Sequence, residues 1–197
     1  MNAPTKLLLA LTAVAALSFA YPAKANLVTN GGFETGDFTG WTLSGDNQYT
    51  TVTSEPLFGN APHSGTYQAW LENSINNNTG FVSQMLALTV GTTYTVDFWL
   101  ATTQTDPNSF AASLGGVTGF SLTNAAASGY IEHSFNFTYL GGSTELLFAF
   151  EHDTTGFLLD DVSVNPAGVG VPDGGSTVSL LGCALVGLAA LRRKLSC

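Results

Sequence analysis

Lysine and arginine are absent from the long central part of this 197-residue chain. All five basic residues lie near its two ends: Lys6, Lys24, Arg192, Arg193 and Lys194. Thirteen of the 14 acidic residues lie between Glu34 and Asp161, which gives the central part a formal charge of −13. Because it has no basic group to neutralise phosphates, nucleic-acid binding is excluded. Any carboxylate buried there also lacks a Lys or Arg partner, which favours neutralisation by a divalent cation.

Cysteine is equally scarce, and its two copies, Cys183 and Cys197, both lie near the C-terminal end. The central part therefore folds without a disulfide, and its stability depends on packing and on any metal that it binds. We interpret Cys183 as a small apolar residue of a hydrophobic helix, with lipidation or exchange at the thiol as the alternative.

The N-terminal segment has the three parts of a secretory signal peptide. Lys6 supplies a positive charge, residues 7–20 are mostly apolar, and Ala23, Lys24 and Ala25 form a small-x-small cleavage site. We therefore predict a signal peptide at residues 1–25, one domain at residues 26–170 and a separate segment at residues 171–197. A domain of this length can bury one hydrophobic core.

An apolar run at residues 178–191 precedes the C-terminal basic cluster. As a helix, these 14 residues rise about 21 Å, which is short for a hydrocarbon core of about 30 Å. Snorkelling of Arg192, Arg193 and Lys194 would extend the span, and the positive-inside rule keeps these residues cytoplasmic. Taken alone, the run is compatible with a plain membrane anchor or with a buried core helix.

Five residues shortly before the run complete a recognisable pattern: Val171, Pro172, Asp173, Gly174 and Gly175. Together with the apolar run and the basic cluster, they resemble the PEP-CTERM class of sorting signal, in particular its VPDSG-type variant. Gly174 stands where that variant usually has serine. The resemblance implies processing by an exosortase, a membrane-embedded, cysteine transpeptidase-like enzyme of exopolysaccharide-producing Gram-negative bacteria. It also implies a precursor anchored in the inner membrane and a final location on the cell surface or in the extracellular matrix.

Short alternating segments rich in Thr, Ser and aromatic residues predict an all-β domain. Turn residues divide it into eight candidate strands, at residues 48–53, 67–72, 81–88, 93–101, 119–123, 130–139, 145–152 and 157–165. Such a series predicts a β-sandwich or jelly roll. Alternation in three of the strands predicts the core positions: Val96, Phe98, Leu100, Phe135, Phe137, Tyr139, Leu146, Phe148 and Phe150. Trp41 is assigned to the same core.

Four further motifs carry a second resemblance: Asn30-Gly31-Gly32-Phe33-Glu34, Gly40-Trp41, His63-Ser64-Gly65 and Leu159-Asp160-Asp161-Val162. In this order they resemble a family of carbohydrate-binding modules with the galactose-binding type of jelly roll. The resemblance implies one β-sandwich, with the predicted signal peptide on one side and the hydrophobic C-terminal helix on the other.

Asp160 has the same strand parity as Val162 and Val164, so we expect it to face the core. A buried carboxylate without a basic partner needs a cation or a proton, and Ca²⁺ accepts carboxylate and carbonyl oxygens as ligands. The resemblance places a structural Ca²⁺ on Glu34 and Asp160, with Asp161 and carbonyls near Gly31 and Ser64 as further ligands. The alternative is that Asp160 caps a turn and that Glu34 is solvated.

Sugar binding needs flat aromatic rings beside polar groups on an accessible face. Trp70 and Trp99 lie on the non-core side of their strands, and these candidate residues accompany them: Gln68, Glu72, Asp97, Tyr49 and Phe58. The alternative is that a loop or a second sheet covers both tryptophans.

Catalysis finds little support, because the chain has no HExxH motif, no nucleophile elbow and no phosphate loop. We therefore expect a non-enzymatic, calcium-stabilised protein that is exported to the cell surface and binds exopolysaccharide. A structural or adhesion protein of the same fold without sugar binding is the alternative, and a polysaccharide hydrolase is the third possibility.

Overall fold

The computed structural model describes residues 26–74, 78–104, 107–152 and 155–168. These ranges contain ten strands: β1 (Thr42–Gly45), β2 (Thr51–Thr53), β3 (Gln68–Glu72), β4 (Gly80–Met85), β5 (Thr93–Thr102), β6 (Asn108–Leu114), β7 (Val117–Thr123), β8 (Ile131–Thr138), β9 (Glu145–His152) and β10 (Gly156–Pro166). Within the same ranges, no helix has the length and apolarity needed to cross a membrane. The predicted signal peptide and C-terminal segment lie outside the described residues.

The strands form two five-stranded antiparallel sheets, which confirms the predicted β-sandwich. The first sheet has the order β1-β4-β9-β6-β7, and the second has the order β2-β3-β10-β5-β8. Their facing sides bury the predicted alternate residues of β5 and β9, including Phe98 and Phe148, whose ring centroids are 5.4 Å apart. Trp41 is buried beside Phe33 as predicted, with its ring stacked at 5.7 Å.

Strand β9 has the predicted bounds, and β5, β8 and β10 differ from prediction by one or two residues at an end. Two strands were not predicted, β1 and β6. Strand β1 has four residues of which only Leu43 is large and apolar, so it lacks a readable alternation. Strand β6 carries Ser and Ala at its outward positions, and its large inward residues are limited to Phe110 and Leu114. Both strands pair through backbone hydrogen bonds that composition does not reveal.

The predicted core orientation of Asp160 is wrong. A β-bulge lies between Asp160 and Ser163 in the pairing of β10 with β5, and Asp161 has a positive φ of 49°. The extra residue reverses the parity, so Leu159 and Val162 face the main core while Asp160 lies on the opposite side of the sheet. Asp160 is nevertheless fully buried. Residues 54–66 cross this side of the second sheet, where they contact Asp160, Trp70 and Trp99. We call residues 54–66 the covering loop.

Candidate functional site

The Asp160 carboxylate is buried beneath the covering loop. Its Oδ2 accepts hydrogen bonds from the backbone N–H groups of His63 at 2.9 Å and Ser64 at 3.3 Å. Its Oδ1 accepts from the N–H of Asp161 at 2.7 Å. Burial raises the pKa of Asp160 to about 7, and the neighbouring Asp161 charge adds to this effect, whereas the three N–H donors oppose it. Asp160 thus binds the loop to the sheet, although its burial disfavours the charged form of the carboxylate.

Asp161 holds the same part of the loop through side-chain contacts. Its Oδ1 accepts from Ser64 Oγ at 2.7 Å, and its Oδ2 lies 2.6 Å from His63 Nδ1. The His63 and Asp161 side chains are 29% and 31% exposed, so this pair is only partly screened by solvent. The left-handed backbone at Asp161 aims its carboxylate toward the loop instead of into the strand ladder.

Glu34 approaches the loop from the N-terminal segment of the domain. Its carboxylate accepts from the N–H groups of Thr66 at 2.9 Å and Tyr67 at 3.0 Å. Gly65 makes this approach possible, because a Cβ there would lie 2.3 Å from Glu34 Oε1 and because its φ is +59°. Glu34 therefore binds the C-terminal end of the loop, and Asp160 and Asp161 bind it two to three residues earlier.

The three carboxylates that the sequence assigned to Ca²⁺ all lie around Gly32. A Cβ built on Gly32 would be 3.5 Å from Asp161 Oδ1, 3.7 Å from Asp160 Oδ1 and 3.7 Å from Glu34 Cγ. The Gly31 carbonyl is nearby but accepts the N–H of Val162 at 2.9 Å.

The donor chemistry of this cluster fits Ca²⁺, since the described ranges contain oxygen donors and no Lys or Arg to compensate them. Ser64 contacts the cluster through its N–H, which donates to Asp160, and its hydroxyl, which donates to Asp161. As the side chains stand, no group of three or more His, Cys, Asp or Glu residues in the described ranges lies at metal-holding distances. The residue types suit a hard cation, but their oxygens bond N–H and O–H donors of the covering loop and do not converge on one point.

Trp70 lies on the outward side of β3 as predicted, but it is only 7% exposed and cannot itself offer a free ring surface. Phe58 of the covering loop stacks on it, with a centroid distance of 5.5 Å and an interplanar angle of 19°. Phe58 is 52% exposed. The accessible aromatic surface at this position is therefore Phe58, and Trp70 is the support behind it.

Gln68 is fully buried, so its expected place at an open sugar surface is wrong for this arrangement. Its side-chain nitrogen donates to the Glu55 carbonyl at 3.0 Å, and its oxygen accepts from the Tyr130 hydroxyl at 2.7 Å. Burial raises the pKa of Tyr130 above its ordinary value, with the charges of Asp160 and Asp161 acting in the same direction. Gln68 thus supports the covering loop from beneath.

Glu72 is half-buried at the end of β3 and accepts from Trp70 Nε1 at 2.7 Å. Its backbone carbonyl accepts from Thr50 Oγ1 at 2.9 Å, which places the neighbouring Tyr49 at the same edge of the second sheet. Tyr49 is 50% exposed. The predicted residues Phe58, Trp70, Glu72 and Tyr49 therefore share one region of the surface.

Trp99 lies on the predicted side of β5 but is covered by His63, whose ring stacks on it at 3.8 Å and 16°. Asp97, two residues earlier, is half-buried and accepts from Ser134 Oγ at 2.6 Å. The covering loop thus places one ring over each predicted tryptophan. Trp70 is buried, as the alternative interpretation expected, whereas Trp99 stays partly exposed.

A cleft of about 250 Å³ opens next to Phe58. Its other lining residues are mostly small and polar: Asn60, Thr102, Thr103, Ala127, Ser128 and Gly129. Sequence reasoning found only Phe58 among these. Asn60 belongs to the covering loop, and the others come from the end of β5 and from the segment before β8. Their short side chains carry no pattern that distinguishes them from turns.

The outward side of the first sheet is a second surface that sequence reasoning did not consider. It presents half-buried Ser109, Ala111 and Ser113 from β6, and Leu147 and Glu151 from β9. Phe81 of β4 faces the same side, because it pairs with Ala149 while its neighbour Val82 is in the core. Its ring is half-buried, so it offers less surface for stacking than the 52%-exposed Phe58.

Known structures share this architecture. A carbohydrate-binding module described as TmCBM61 in complex with β-1,4-galactotriose is 23% identical, with a TM-score of 0.54, and the match covers 73% of this chain and 99% of that one. The CBM22-1–GH10 part of a Clostridium thermocellum xylanase, complexed with xylohexaose, is 18% identical with a TM-score of 0.51. That match covers 75% of this chain but only 30% of the xylanase chain. These likenesses establish the class by its fold, a jelly-roll sandwich of the carbohydrate-binding-module type.

A further likeness is to the K3 cleaved adhesin domain of Lys-gingipain from Porphyromonas gingivalis, at 15% identity and a TM-score of 0.50. It covers 72% of this chain and 99% of that domain. No curated protein sequence matches the chain.

Sequence comparison then gives the family. The model described as a carbohydrate binding domain matches residues 25–156, and the chain belongs to this family. The model of the VPDSG-CTERM motif matches residues 170–195, which confirms the sorting signal. Together the module and the motif indicate an exported surface protein that carries a carbohydrate-binding domain.

Proposed function

We propose that this protein binds polysaccharide without catalysis at the bacterial cell surface or in the extracellular matrix, through the surface formed by Phe58 and the adjoining cleft. The observation that carries the proposal is the Phe58–Trp70 stack. A half-exposed ring backed by a buried one is a rigid flat surface, and its ordering adds little entropic cost on binding. The family membership of residues 25–156 supports the same function.

The cleft supplies polar groups suited to a sugar unit. Four of its lining residues carry hydroxyl or amide groups: Thr102, Thr103, Ser128 and Asn60. The Thr103 hydroxyl already donates to the Gly156 carbonyl at 2.7 Å. A sugar ring stacked on Phe58 would present its equatorial hydroxyls to such groups, and its C–H face to the phenyl ring. Glu72 and Tyr49, at the same edge, would extend the surface to a second unit.

Calcium is assigned a structural role in this proposal. Glu34 and Asp160 are the proposed ligands, with Asp161 and the carbonyls near Gly31 and Ser64 completing the shell. A bound Ca²⁺ would neutralise the buried Asp160 charge. The residues of this chain would meanwhile hold the covering loop, and with it Phe58, in position over the second sheet.

The C-terminal motif supports sorting by an exosortase-type membrane enzyme. Residues 178–191 would hold the precursor in the inner membrane of a Gram-negative host, with Arg192, Arg193 and Lys194 in the cytoplasm. Cleavage or exchange of this tail would then release the domain to the surface or matrix.

A structural or adhesion role without sugar binding is the second candidate, favoured by the formal charge of −13, which divalent cations can bridge between copies. Binding of the protein to a panel of immobilised polysaccharides, in calcium and in chelator, separates the candidates. Retention on at least one polysaccharide supports the proposal. Calcium-dependent self-association with no retention supports the second candidate, and release of reducing sugar would show hydrolysis instead.

A further inference from the structure

Among the described residues, seven large apolar side chains are at least half exposed. Four of them lie at one end of the sandwich: Met85 (68%), Val90 (65%), Val117 (57%) and Leu140 (80%). They belong to three loops, at residues 85–92, 115–117 and 139–145, which we call the apolar end. Single exposed apolar residues are ordinary on a protein surface, but their grouping on neighbouring loops calls for an explanation.

Backbone hydrogen bonds tie these loops together. Leu86 N–H donates to the Thr144 carbonyl at 3.1 Å, and Gly91 N–H donates to the Tyr139 carbonyl at 2.8 Å. Gly115 N–H donates to the Glu145 carbonyl at 2.9 Å. The apolar side chains are therefore displayed from loops of fixed relative position, and the patch exists before any partner binds.

The chain leaves the sandwich at this same end. The N–H of Ala167, just beyond β10, donates to the Thr93 carbonyl at 2.8 Å, and the neighbouring Thr92 carbonyl accepts from Tyr139. The exit is thus within a few residues of Val90 and Leu140. The described domain ends at Gly168.

Negative charge is scarce at the apolar end and concentrated elsewhere on the domain. The three loops contain one charged residue, Glu145, whereas the described part of the domain carries its other carboxylates elsewhere. Several of these, including Glu34, Asp160 and Asp161, lie on or beside the covered side of the second sheet, where they bond the covering loop or the residues next to it. An anionic surface would therefore repel this end less than the rest of the domain.

The sequence limits how far the apolar end can lie from the start of the hydrophobic run. Nine residues, 169–177, separate Gly168 from the run that begins at Val178. Fully extended they span at most about 30 Å. A domain tethered this closely meets the lipid surface at a high effective concentration, so weak contacts suffice to dock it.

We propose that, in the precursor, the apolar end docks on the lipid bilayer that holds the C-terminal run. This inference rests on the proposed anchoring of residues 178–191 in a membrane. Met85, Val90, Val117 and Leu140 insert at the headgroup level, about 5–10 Å deep as for other interfacial apolar groups. The covering loop and the cleft beside Phe58, near the opposite end of β5, then point away from the bilayer and stay open to polysaccharide.

The test uses the full chain, expressed with its own signal in a Gram-negative host without exosortase and reconstituted into phosphatidylethanolamine–phosphatidylglycerol vesicles. A bimane label is attached at Leu140→Cys, in a background of Cys183→Ser and Cys197→Ser. The matched control carries the label at Ile131→Cys, which is also exposed, at 50% against 80% for Leu140, but begins β8 at the other end of that strand. Nitroxide-labelled lipids serve as the quencher.

We expect several-fold stronger quenching at position 140 than at position 131. We also expect Val90→Ser with Met85→Ser to reduce the quenching at 140 while the chain still floats with the vesicles. Equal, weak quenching at both positions in a chain that floats would overturn the docking and leave the anchor standing. If the chain does not float with the vesicles in a density gradient, both the docking and the membrane anchoring are overturned. Shielding of the label at 140 in lipid-free detergent, together with a dimeric mass, would show that a second copy covers this end and would also overturn the proposal.

Discussion

The imidazole ring of His63 stacks on the indole of Trp99 with a centroid distance of 3.8 Å and an interplanar angle of 16°. The two residues are 36 positions apart, and the contact fastens the covering loop to the second sheet. The same His63 bonds Asp161 through Nδ1 and Asp160 through its backbone N–H. One residue thus connects the acidic cluster to the face that carries Phe58 and Trp70.

Replacing His63 should loosen the covering loop. His63→Ala removes both the ring stack and the Asp161 contact, and we expect a loss of about 1–2 kcal/mol in the free energy of unfolding. His63→Phe restores the stack without the hydrogen bond and should recover part of the loss. Urea denaturation of the three proteins checks this. An Ala variant as stable as the parent would show that His63 does not hold the loop.

Substitutions at two glycines with left-handed backbone distinguish the cost of backbone strain from the cost of a steric clash. Gly65 (φ +59°) faces the Glu34 carboxylate, whereas a Cβ on Gly59 (φ +83°) would meet nothing within 4 Å. We expect Gly59→Ala to cost about 1 kcal/mol from backbone strain alone. Gly65→Ala should cost roughly 1–3 kcal/mol more, since Glu34 must leave the N–H groups of Thr66 and Tyr67. Thermal denaturation gives both values, and equal costs would contradict the close packing of Glu34.

The buried Asp160 predicts a pH dependence of stability in chelator. Its pKa is raised from an ordinary 3.8 to about 7, so between these values the folded state binds more protons than the unfolded state. Stability from this group is therefore fully present well below pH 3.8, falls as the pH rises to about 7 and is constant above that.

Asp160→Asn is the reference protein. The other carboxylates titrate alike in both proteins, so their effects cancel in the difference between the two free energies of unfolding. The parent should lose stability relative to Asp160→Asn as the pH increases from about 4 to about 7. Denaturation at a series of pH values measures this difference. A constant difference would mean that Asp160 is not a destabilised buried charge.

If Glu34 and Asp160 bind Ca²⁺, calcium should offset the destabilisation that the buried Asp160 charge causes. At a free concentration 100 times the dissociation constant, binding stabilises the folded state by about 2.7 kcal/mol. We expect the melting temperature to rise with Ca²⁺ in the parent and in Glu145→Gln, a carboxylate variant far from the cluster, but not in Glu34→Gln. Identical melting temperatures for the parent in excess chelator and in excess calcium would refute the metal site.

Much of the sandwich was predictable because its large residues alternate. In β9, Phe148 and Phe150 show which side faces the core, and Val96 and Phe98 do the same in β5. The burial of the other residues in these strands then follows from their alternation. The same rule failed at Asp160, because one inserted residue at Asp161 reverses the parity and no residue type announces such a bulge. Small-residue strand β6 was missed for the related reason that serine and alanine carry little pattern.

The candidate site was predictable only in its parts. Trp70 and Trp99 were placed on the correct side of their strands, and Phe58 was named as a loop aromatic. Their stacking order depends on the path of residues 54–66, which is set by long-range bonds to Asp160 and Asp161 across about a hundred positions of sequence. Such contacts leave no local signal, so a covering loop was only an alternative at the level of the sequence, and the stacking of Phe58 on Trp70 was not predicted.

The central claim is that polysaccharide binds on the Phe58 surface, and isothermal titration with the polysaccharide best retained in the panel tests it most directly. Truncation of a stacking ring should cost about 1–3 kcal/mol, roughly a five- to 150-fold loss in affinity for Phe58→Ala. Phe58→Tyr, which keeps the flat ring, and Ile131→Ala, which removes an equally exposed apolar side chain elsewhere, should bind like the parent. Unchanged affinity of Phe58→Ala would contradict the account and would direct attention to the outward side of the first sheet.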